Sequence, residues 1–192
     1  MATPTRRLPR AARREALLEA ATSTFARGGY AATAIAQVAE TAGVTPLIVY
    51  RHFETKEGLY RSVLERVAGR LTAGLPATVR ARSFGIGAAG TLALARDDPD
   101  GFRLFWRHAA REPEFAPLVD AVRASAVAAS VDAFGARVAM RERAWAARAV
   151  VGYVIEAVLT WLEDGDPEQD ARFARATDAA MRAGVRAWSR PA

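Results

Sequence analysis

The stretch that decides the fold reads TAIAQVAETAGVTPLIVYRHF over residues 33–53. Apolar residues recur at helical spacing in its first half, and Gly43 then interrupts the pattern with the residue that leaves helical geometry most readily. Thr45 is followed by Pro46, which favours the first turn of a new helix because proline has no N–H to leave unbonded there. The stretch therefore predicts two short helices joined by a tight turn, with Thr33 and Thr45 as their N-caps.

Helical patterns continue on both sides of this stretch. An apolar stripe of a preceding helix is formed by Leu17, Leu18, Ala21 and Phe25. We expect that helix to end at Gly28-Gly29, and a further helix to begin after Thr55 as its N-cap. The resulting order is a supporting helix, a helix, a sharp turn and a second helix. This arrangement is the helix-turn-helix, which places its second helix in the major groove of DNA.

The charge distribution agrees with a polyanionic partner for this region. Residues 1–70 hold 11 Lys and Arg against 6 Asp and Glu, whereas residues 71–192 hold 16 against 15. Almost all of the net charge of +6 therefore lies in the first third of the chain. The residues expected to pack inside the motif are Val38, Ala39, Ala42, Val44 and Val49. The outward groups are Thr45, Tyr50, Arg51 and His52, and Lys56 follows where a phosphate would lie.

Three segments together resemble the TetR family of regulators. They read TAIAQVAETAGVT over residues 33–45, YRHF over residues 50–53 and KEGL over residues 56–59. The similarity spans about residues 10–70. It implies an all-α protein with an N-terminal helix-turn-helix domain and a C-terminal helical domain that binds a ligand and dimerises.

The resemblance also implies roles for individual residues. Thr33 would cap the second helix near a phosphate, and Thr45 would cap the reading helix. Phosphate contacts would come from Tyr50, His52 and Lys56. The groove would be met by Pro46, Leu47 and Ile48, whereas Phe53 would pack inside.

One position departs from the family pattern. Leu47 stands where the family usually has a small residue, so the start of the reading helix is unusually apolar. We therefore expect more contact with thymine methyl groups and DNA shape, and fewer hydrogen bonds to bases. Arg6, Arg7 and Arg10 would reach DNA or form a solvated tail. The alternative for the whole motif is a three-helix packing element without a role in DNA binding.

The remainder of the chain is also predicted to be helical. Breaks at Leu75-Pro76, Asp97-Asp98-Pro99, Glu112-Pro113 and Gly165-Asp166-Pro167 divide it into about five helices. The predicted domains are residues 1–70, which bind DNA, and residues 71–192, which form the regulatory and dimerisation unit.

Residues 149–162 are apolar nearly all round, so a helix there must be covered on both sides. We predict that a second subunit supplies one cover, together with the last helix. The predicted interface residues are Val151, Val158, Phe173, Ala180, Gly184 and Trp188. The alternative is that these stripes form intramolecular core. Glu156, the one charge in the run, is interpreted as a paired or rim-exposed carboxylate.

Aromatic side chains in the middle of the chain suggest a ligand cavity. The predicted lining is Phe84, Phe102, Trp106, Phe115 and Tyr153, with plain core packing as the alternative. Such a cavity would take an apolar or aromatic ligand. His108 is expected to be structural or exposed.

The segment Gly85–Gly90 matches the Gly-x-Gly-x-x-Gly fingerprint of dinucleotide-binding enzymes, but that fingerprint requires a preceding buried strand. We predict instead a kinked or loosely packed helix. No cofactor, metal or enzymatic activity is expected, since the chain has two histidines and no cysteine.

The sequence thus predicts a homodimeric, sequence-specific DNA-binding repressor that a small ligand releases from a palindromic operator. The alternatives are a helical adaptor or nucleoid-type protein that binds DNA without sequence preference, and a nicotinamide-dependent enzyme. Cysteine is absent, and we expect no signal peptide and no apolar run long enough to span a bilayer. These features favour the cytoplasm.

Overall fold

The computed structural model describes residues 9–79 and 85–188, without the side chain of Arg137. Within these ranges the chain forms helices joined by short loops, and its one β-type contact is an isolated antiparallel bridge between Val79 and Ile86, so the all-α prediction is confirmed. The α-helices are α1 (Arg10–Ala32), α2 (Ile35–Thr41), α3 (Pro46–His52), α4 (Lys56–Thr78), α5 (Ala88–Asp97), α6 (Pro99–Arg103), α7 (Ala116–Phe134), α8 (Met140–Asp164) and α9 (Asp170–Trp188). A π-helical turn at Leu104–His108 continues α6 directly.

Most helix ends follow the local signals in the sequence. Thr55 caps α4 by accepting a hydrogen bond from the Gly58 amide, and Asp98 caps α6 by accepting one from the Gly101 amide. The predicted break at Leu75-Pro76 is wrong, because α4 continues to Thr78 with Pro76 in its last turn. A proline so close to a helix end removes few of the helix's hydrogen bonds, and the helix can absorb that loss.

Helix α1 is interrupted where the glycine pair predicted its end. Gly29 has φ +70° and ψ −179°, a backbone conformation that essentially only glycine adopts, and helical geometry resumes up to Ala32. The buried face of α1 packs on α2 and α4. The kink therefore redirects the chain into α2 without separating α1 from the core.

The core is one continuous cluster that extends from α1 to α9. Helix α8 contributes its longest buried stripe, which comprises Ala146, Ala147, Val150, Val151, Val154, Ile155, Val158, Leu159 and Leu162. Helices α5, α7 and α9 pack around α8, and α4 joins α1 to α5 and α7. The predicted domain boundary at residue 70 falls inside α4, and the division into two domains stays a prediction.

The glycine run Gly85–Gly90 serves close packing rather than a loose helix. A Cβ atom on Gly90 would lie 2.7 Å from the Cα atom of Thr78, and one on Gly85 would lie 2.6 Å from the Ser130 hydroxyl. The described residues before the run are the last turns of α4 and the bridge residue Val79, not a buried strand. The geometry of the run therefore differs from that of a dinucleotide-binding loop.

Helix α8 corrects one expectation about membranes. Met140–Asp164 is long and apolar enough to cross a bilayer by length and composition, contrary to the prediction that no such run exists. Half of its most apolar window is buried inside the fold, as in the core helix of a globular protein. Its length and composition are therefore weak evidence for a membrane span.

Candidate nucleic-acid interface

The turn between α2 and α3 is built around Gly43. Its φ of +63° lies in the left-handed region, and a Cβ atom there would meet nothing within 4 Å. The requirement for glycine is therefore conformational rather than steric. The amides of Gly43 and Val44 donate to the carbonyls of Glu40 and Ala39, at 3.0 and 2.9 Å, which satisfies the C-terminal end of α2.

Helix α3 begins where the sequence predicts, with Thr45 at the N-cap position and Pro46 in the first turn. The Thr45 side chain is exposed and makes no capping hydrogen bond. Val49 is the only buried residue of the helix. It packs in the same cluster as Val38, Ala39 and Phe53, so α3 is anchored along one narrow line and the rest of its surface faces outward.

The prediction that Thr33 caps α2 is wrong. The N-cap position is Ala34, whose amide donates to the Gln37 side chain at 2.7 Å. Thr33 is buried, and its hydroxyl donates instead to the Gly29 carbonyl at 2.8 Å, closing the end of α1. Sequence reasoning missed Gln37, although its position three residues after the cap is a signal for such a bond.

The outward face of α3 is led by two large side chains. Leu47 is 61% exposed and Tyr50 is 48% exposed, although large apolar and aromatic side chains are usually buried when they have no binding partner. Arg51 is also exposed, and it follows Leu47 by one helical turn. Pro46 is exposed at the start of the helix, whereas Ile48 and His52 are half-buried. Leu47, Tyr50 and Arg51 thus form one accessible ridge.

A cluster of arginines lies beside the end of α3. Burial, and then the charges of Arg10, Arg14 and Arg13, lower the pKa of His52 below its ordinary value. The guanidinium of Arg14 lies 5.0 Å from the centre of the Phe53 ring. The first turns of α1 therefore add positive charge next to the ridge, and the lowered pKa favours the neutral form of His52. Arg6 and Arg7 lie outside the described residues.

Lys56 is engaged within the chain. Its Nζ atom donates to the Ala31 carbonyl at 3.4 Å and lies 4.5 Å from the centre of the Tyr30 ring. These contacts hold the ammonium group at the end of α1, where a helix favours a cation. If Lys56 contacts a phosphate as predicted, its ammonium group would do so from this position.

The α1 kink meets the C-terminal helices at an aromatic junction. Phe115 lies 4.8 Å from Tyr60 and 5.7 Å from Tyr30 between ring centres, and its place in a ligand cavity stays a prediction. The Tyr30 amide donates to the Glu112 carboxylate at 3.3 Å. Burial, followed by the Glu112 carboxylate, raises the pKa of Tyr60. Sequence spacing did not reveal this junction because its members are far apart in the chain.

Phe102 and Trp106 line a small cavity of about 40 Å³ between α4, α5, α7 and α8. An open cleft of about 530 Å³ adjoins it, and Leu71, Leu94 and Phe102 line both spaces. Tyr153 is 45% exposed on the outside of α8, so its assignment to the cavity is wrong. Phe84 lies outside the described residues.

The predicted interface residues divide into two groups. Val151 and Val158 are fully buried within a single chain, so their prediction as interface residues is wrong. Ala180 is exposed, Gly184 is half-buried, and Trp188 is 38% exposed and packs on Trp145 at 5.0 Å between ring centres. Phe173 is half-buried and stacks on Trp161 at 4.5 Å.

An exposed stripe of α8 runs alongside these residues. It contains Trp145, Gly152, Tyr153, Glu156 and Thr160, of which Gly152 is half-buried. Glu156 pairs with Arg107 at 3.1 Å while remaining 61% exposed, which agrees with its interpretation as a paired, rim-exposed carboxylate.

An outward second helix on a tight turn, flanked by arginines, defines this chain as a helix-turn-helix protein. Residues 17–63 match the family model of the bacterial regulatory proteins of the tetR family. The resemblance seen in the sequence is thus confirmed for the N-terminal part of the chain, which is similar to the TetR family of transcriptional regulators.

Curated relatives match this chain over part of its length. The HTH-type transcriptional activator FasR of Mycolicibacterium smegmatis is 40% identical over 74 residues, which cover 38% of this chain and 34% of FasR. An HTH-type transcriptional repressor of Mycobacterium tuberculosis is 38% identical over 112 residues, which cover 56% of this chain and 57% of that protein. The matches thus span only a third to somewhat over half of these relatives.

Solved structures share the fold over nearly the whole chain. A TetR-like regulator from Rhodococcus sp. RHA1 superposes with a TM-score of 0.78 at 18% identity, covering 93% of this chain and 98% of its own. A TetR-family regulator from Streptomyces coelicolor gives 0.66 at 22% identity, covering 94% and 85%. At these identities the likeness establishes the architecture alone.

Proposed function

We propose that this protein is a homodimeric, sequence-specific DNA-binding repressor of the cytoplasm, released from its operator by a small apolar or aromatic ligand. The observation that carries the proposal is the exposed ridge of Leu47, Tyr50 and Arg51 on α3, beside the arginines of α1. A helix inserted in the major groove needs such a ridge to meet base edges, and flanking cations to meet phosphates.

The ridge favours sequence-specific binding over general attraction to DNA. Leu47 and the exposed ring of Pro46 offer apolar contact with thymine methyl groups, whereas Arg51 offers a hydrogen-bond donor to guanine. Tyr50 and Lys56 would contact phosphate, with Thr45 at the helix start. A protein that binds DNA only by charge has no need for an exposed leucine on its reading helix.

The exposed faces of α8 and α9 support a homodimer. Trp145 and Tyr153 on α8 and Trp188 on α9 are large side chains that a single chain leaves accessible. The exposed surface of α9 also contains small residues such as Ala180. Small residues allow two helices to approach closely, and aromatic side chains are typical of protein interfaces. Two copies joined through this face would present two α3 helices to the half-sites of a palindromic operator.

The π-helical turn at Leu104–His108 supports a response to a ligand. Trp106 in this turn lines the cavity, and His108, two residues later, lies against Gly29 at the α1 kink. A ligand that enlarges the cavity would displace Trp106. The movement would also shift the contact of His108 with Gly29, which positions the helix-turn-helix. Such coupling requires that the ligand bind the released arrangement more tightly than the DNA-bound one.

Selection of bound fragments from a random DNA library, followed by gel shift, tests the proposal. We expect one recovered palindromic sequence whose complex survives a large excess of random DNA. Recovery of unrelated fragments, with complexes that random DNA dissolves, would support the non-specific adaptor instead. A reporter gene behind the recovered operator should be repressed, and expression that rises with the regulator would contradict repression.

A further inference from the structure

One residue that lines the cavity carries an unpartnered hydrogen-bond donor. The Nε1 atom of Trp106 is buried and has no hydrogen-bond partner among the described residues, and the side chain as a whole is only 9% exposed. The same tryptophan lines the cavity between α4, α5, α7 and α8. A buried N–H without an acceptor carries a free-energy cost. A molecule that fills this space would therefore bind more tightly if it accepted a hydrogen bond from this N–H.

Three of the other four polar side chains of the cavity are already occupied as donors, and the fourth, Thr72, is exposed. The hydroxyls of Thr78, Thr91 and Ser125 donate to the backbone carbonyls of Leu75, Gly87 and Ala121, at 2.7, 2.9 and 3.0 Å. The rest of the described lining is mostly apolar, with side chains such as Ile86, Leu75 and Ile155. The cavity thus combines an apolar wall with one buried donor that has no partner among the described residues.

The charges near the cavity argue against an anionic ligand. The described residues that line the cavity carry no charge. Arg70, in the adjoining cleft, is paired with Asp98 at 3.1 Å and lies 3.9 Å from Glu15. The guanidinium of Arg123 stacks 4.9 Å from the centre of the Trp106 ring, where it covers the ring instead of lining the cavity. A carboxylate entering this space would lose its hydration without gaining a dedicated cation.

From these contacts we infer that the effector is an uncharged, mostly apolar molecule that carries a hydrogen-bond acceptor, such as a ketone, ester or lactone oxygen, and that Trp106 Nε1 donates to this acceptor. The inference rests on the proposed ligand-responsive function and names the ligand class of that site. The cavity of about 40 Å³ is far smaller than the several hundred Å³ of a typical ligand pocket, so binding must open it.

The opening lies towards the adjoining cleft. Leu94 lines both spaces, and its side chain fills the position beside Gly74, where a Cβ atom would lie 2.3 Å from the nearest Leu94 methyl group. Rotation of Leu94 away from α4 would join the two spaces. The ligand would then pass from the cleft to Trp106 without unfolding a helix.

Three probes of similar size separate the classes: acetophenone, which is neutral and has an acceptor; ethylbenzene, which is neutral and has none; and benzoate, which is charged. The chain has four tryptophans, so its indole N–H resonances in a ¹H–¹⁵N spectrum report binding residue by residue. Comparison with Trp106→Phe, which keeps an aromatic ring but has no donor, assigns the Trp106 resonance. We expect acetophenone to shift that resonance downfield and to bind about tenfold more tightly than ethylbenzene, with benzoate weaker than both.

The same variant completes the test. In Trp106→Phe, acetophenone should lose its advantage of about tenfold while ethylbenzene binds as before, which also shows that the cavity is intact. Equal binding of acetophenone and ethylbenzene by the wild type, preference for benzoate, or no binding of either neutral probe would each overturn the inference. Operator binding without probe, measured on the same preparation, is a separate readout: its loss would refute the proposed function, whereas intact operator binding with failed probe discrimination refutes only the ligand class.

Discussion

The imidazole of His108 lies against Gly29 so closely that a Cβ atom on the glycine would be 3.0 Å from Nδ1. Gly29 is also the residue at which α1 leaves helical geometry, with φ +70° and ψ −179°. One contact therefore joins the kink that directs the chain into α2 to the π-helical turn beside the cavity. The sequence alone predicts a helix end at Gly29, but it does not reveal the contact with His108.

Gly29→Ala should destabilise the protein by about 2 kcal/mol or more, because alanine is strained in this conformation and also meets His108. Denaturant unfolding measures the change. Gly43→Ala is the matched control: its φ is also positive but its Cβ position is open, so about 1 kcal/mol is expected. In a His108→Ala background the cost of Gly29→Ala should fall by roughly 1 kcal/mol. An unchanged cost would show that the His108 contact is unimportant.

Arg51→Ala and Leu47→Ala should affect DNA binding in different ways. Arg51→Ala should weaken operator binding because it removes a cation. If Arg51 contacts a phosphate, the slope of the logarithm of the binding constant against the logarithm of the salt concentration should also decrease by about 0.9. Loss of the exposed leucine should leave the slope unchanged and reduce discrimination against altered base pairs. Binding isotherms at several salt concentrations distinguish the two. Full specificity in Leu47→Ala would remove this side chain from base recognition.

Tyr153→Arg and Val151→Ala should separate the interface from the core. The arginine at exposed Tyr153 should yield monomers in light scattering while the helix content stays unchanged. Val151→Ala should retain the dimer and lose about 1–3 kcal/mol of stability, because it opens a cavity in the core of each subunit. A dimeric Tyr153→Arg variant would exclude this face of α8 from the interface.

His52 should make stability depend on pH. Burial and three arginines lower its pKa in the folded state below the ordinary value of 6.5, so the unfolded chain binds the proton more readily. Stability should therefore decrease as pH falls through about 6.5 towards the folded pKa, and this dependence should be absent in His52→Gln. Thermal unfolding between pH 5 and 8 tests it, and an NMR titration midpoint at or above 6.5 would contradict it.

Asp178 should stabilise α5 from a distance. Its carboxylate accepts a hydrogen bond from the Ala88 amide at 2.8 Å, so a residue of α9 caps the start of α5. Asp178→Ala should cost about 1 kcal/mol in unfolding experiments, and Asp178→Asn should retain part of that energy. Asp166→Ala is the control, because Asp166 caps only the short turn before α9. Equal losses would show that the α9–α5 contact adds nothing beyond an ordinary cap.

Much of the helix-turn-helix region could be predicted because its signals are local. Gly43 takes a positive φ, Thr45 and Pro46 begin α3, and Thr55 caps α4, all within a few residues of the structures that they specify. The prediction for Thr33 was wrong because its hydroxyl can bond either to the end of α1 or to the start of α2. Its hydroxyl closes the end of α1, and the Gln37 side chain serves the start of α2 instead.

The sequence by itself determined most of the helices, the Thr55 cap of α4 and the outward position of Tyr50 and Arg51 on α3, because these depend on spacing and on backbone preferences of neighbouring residues. Only the tertiary structure decided which side of α8 faces its own chain. Val151 and Tyr153 both lie in a run that is apolar all round, yet the first is buried and the second is exposed. Helical periodicity shows that the apolar faces of α8 must be buried. The packing of α5, α7 and α9 decides which of these faces is buried within the same chain.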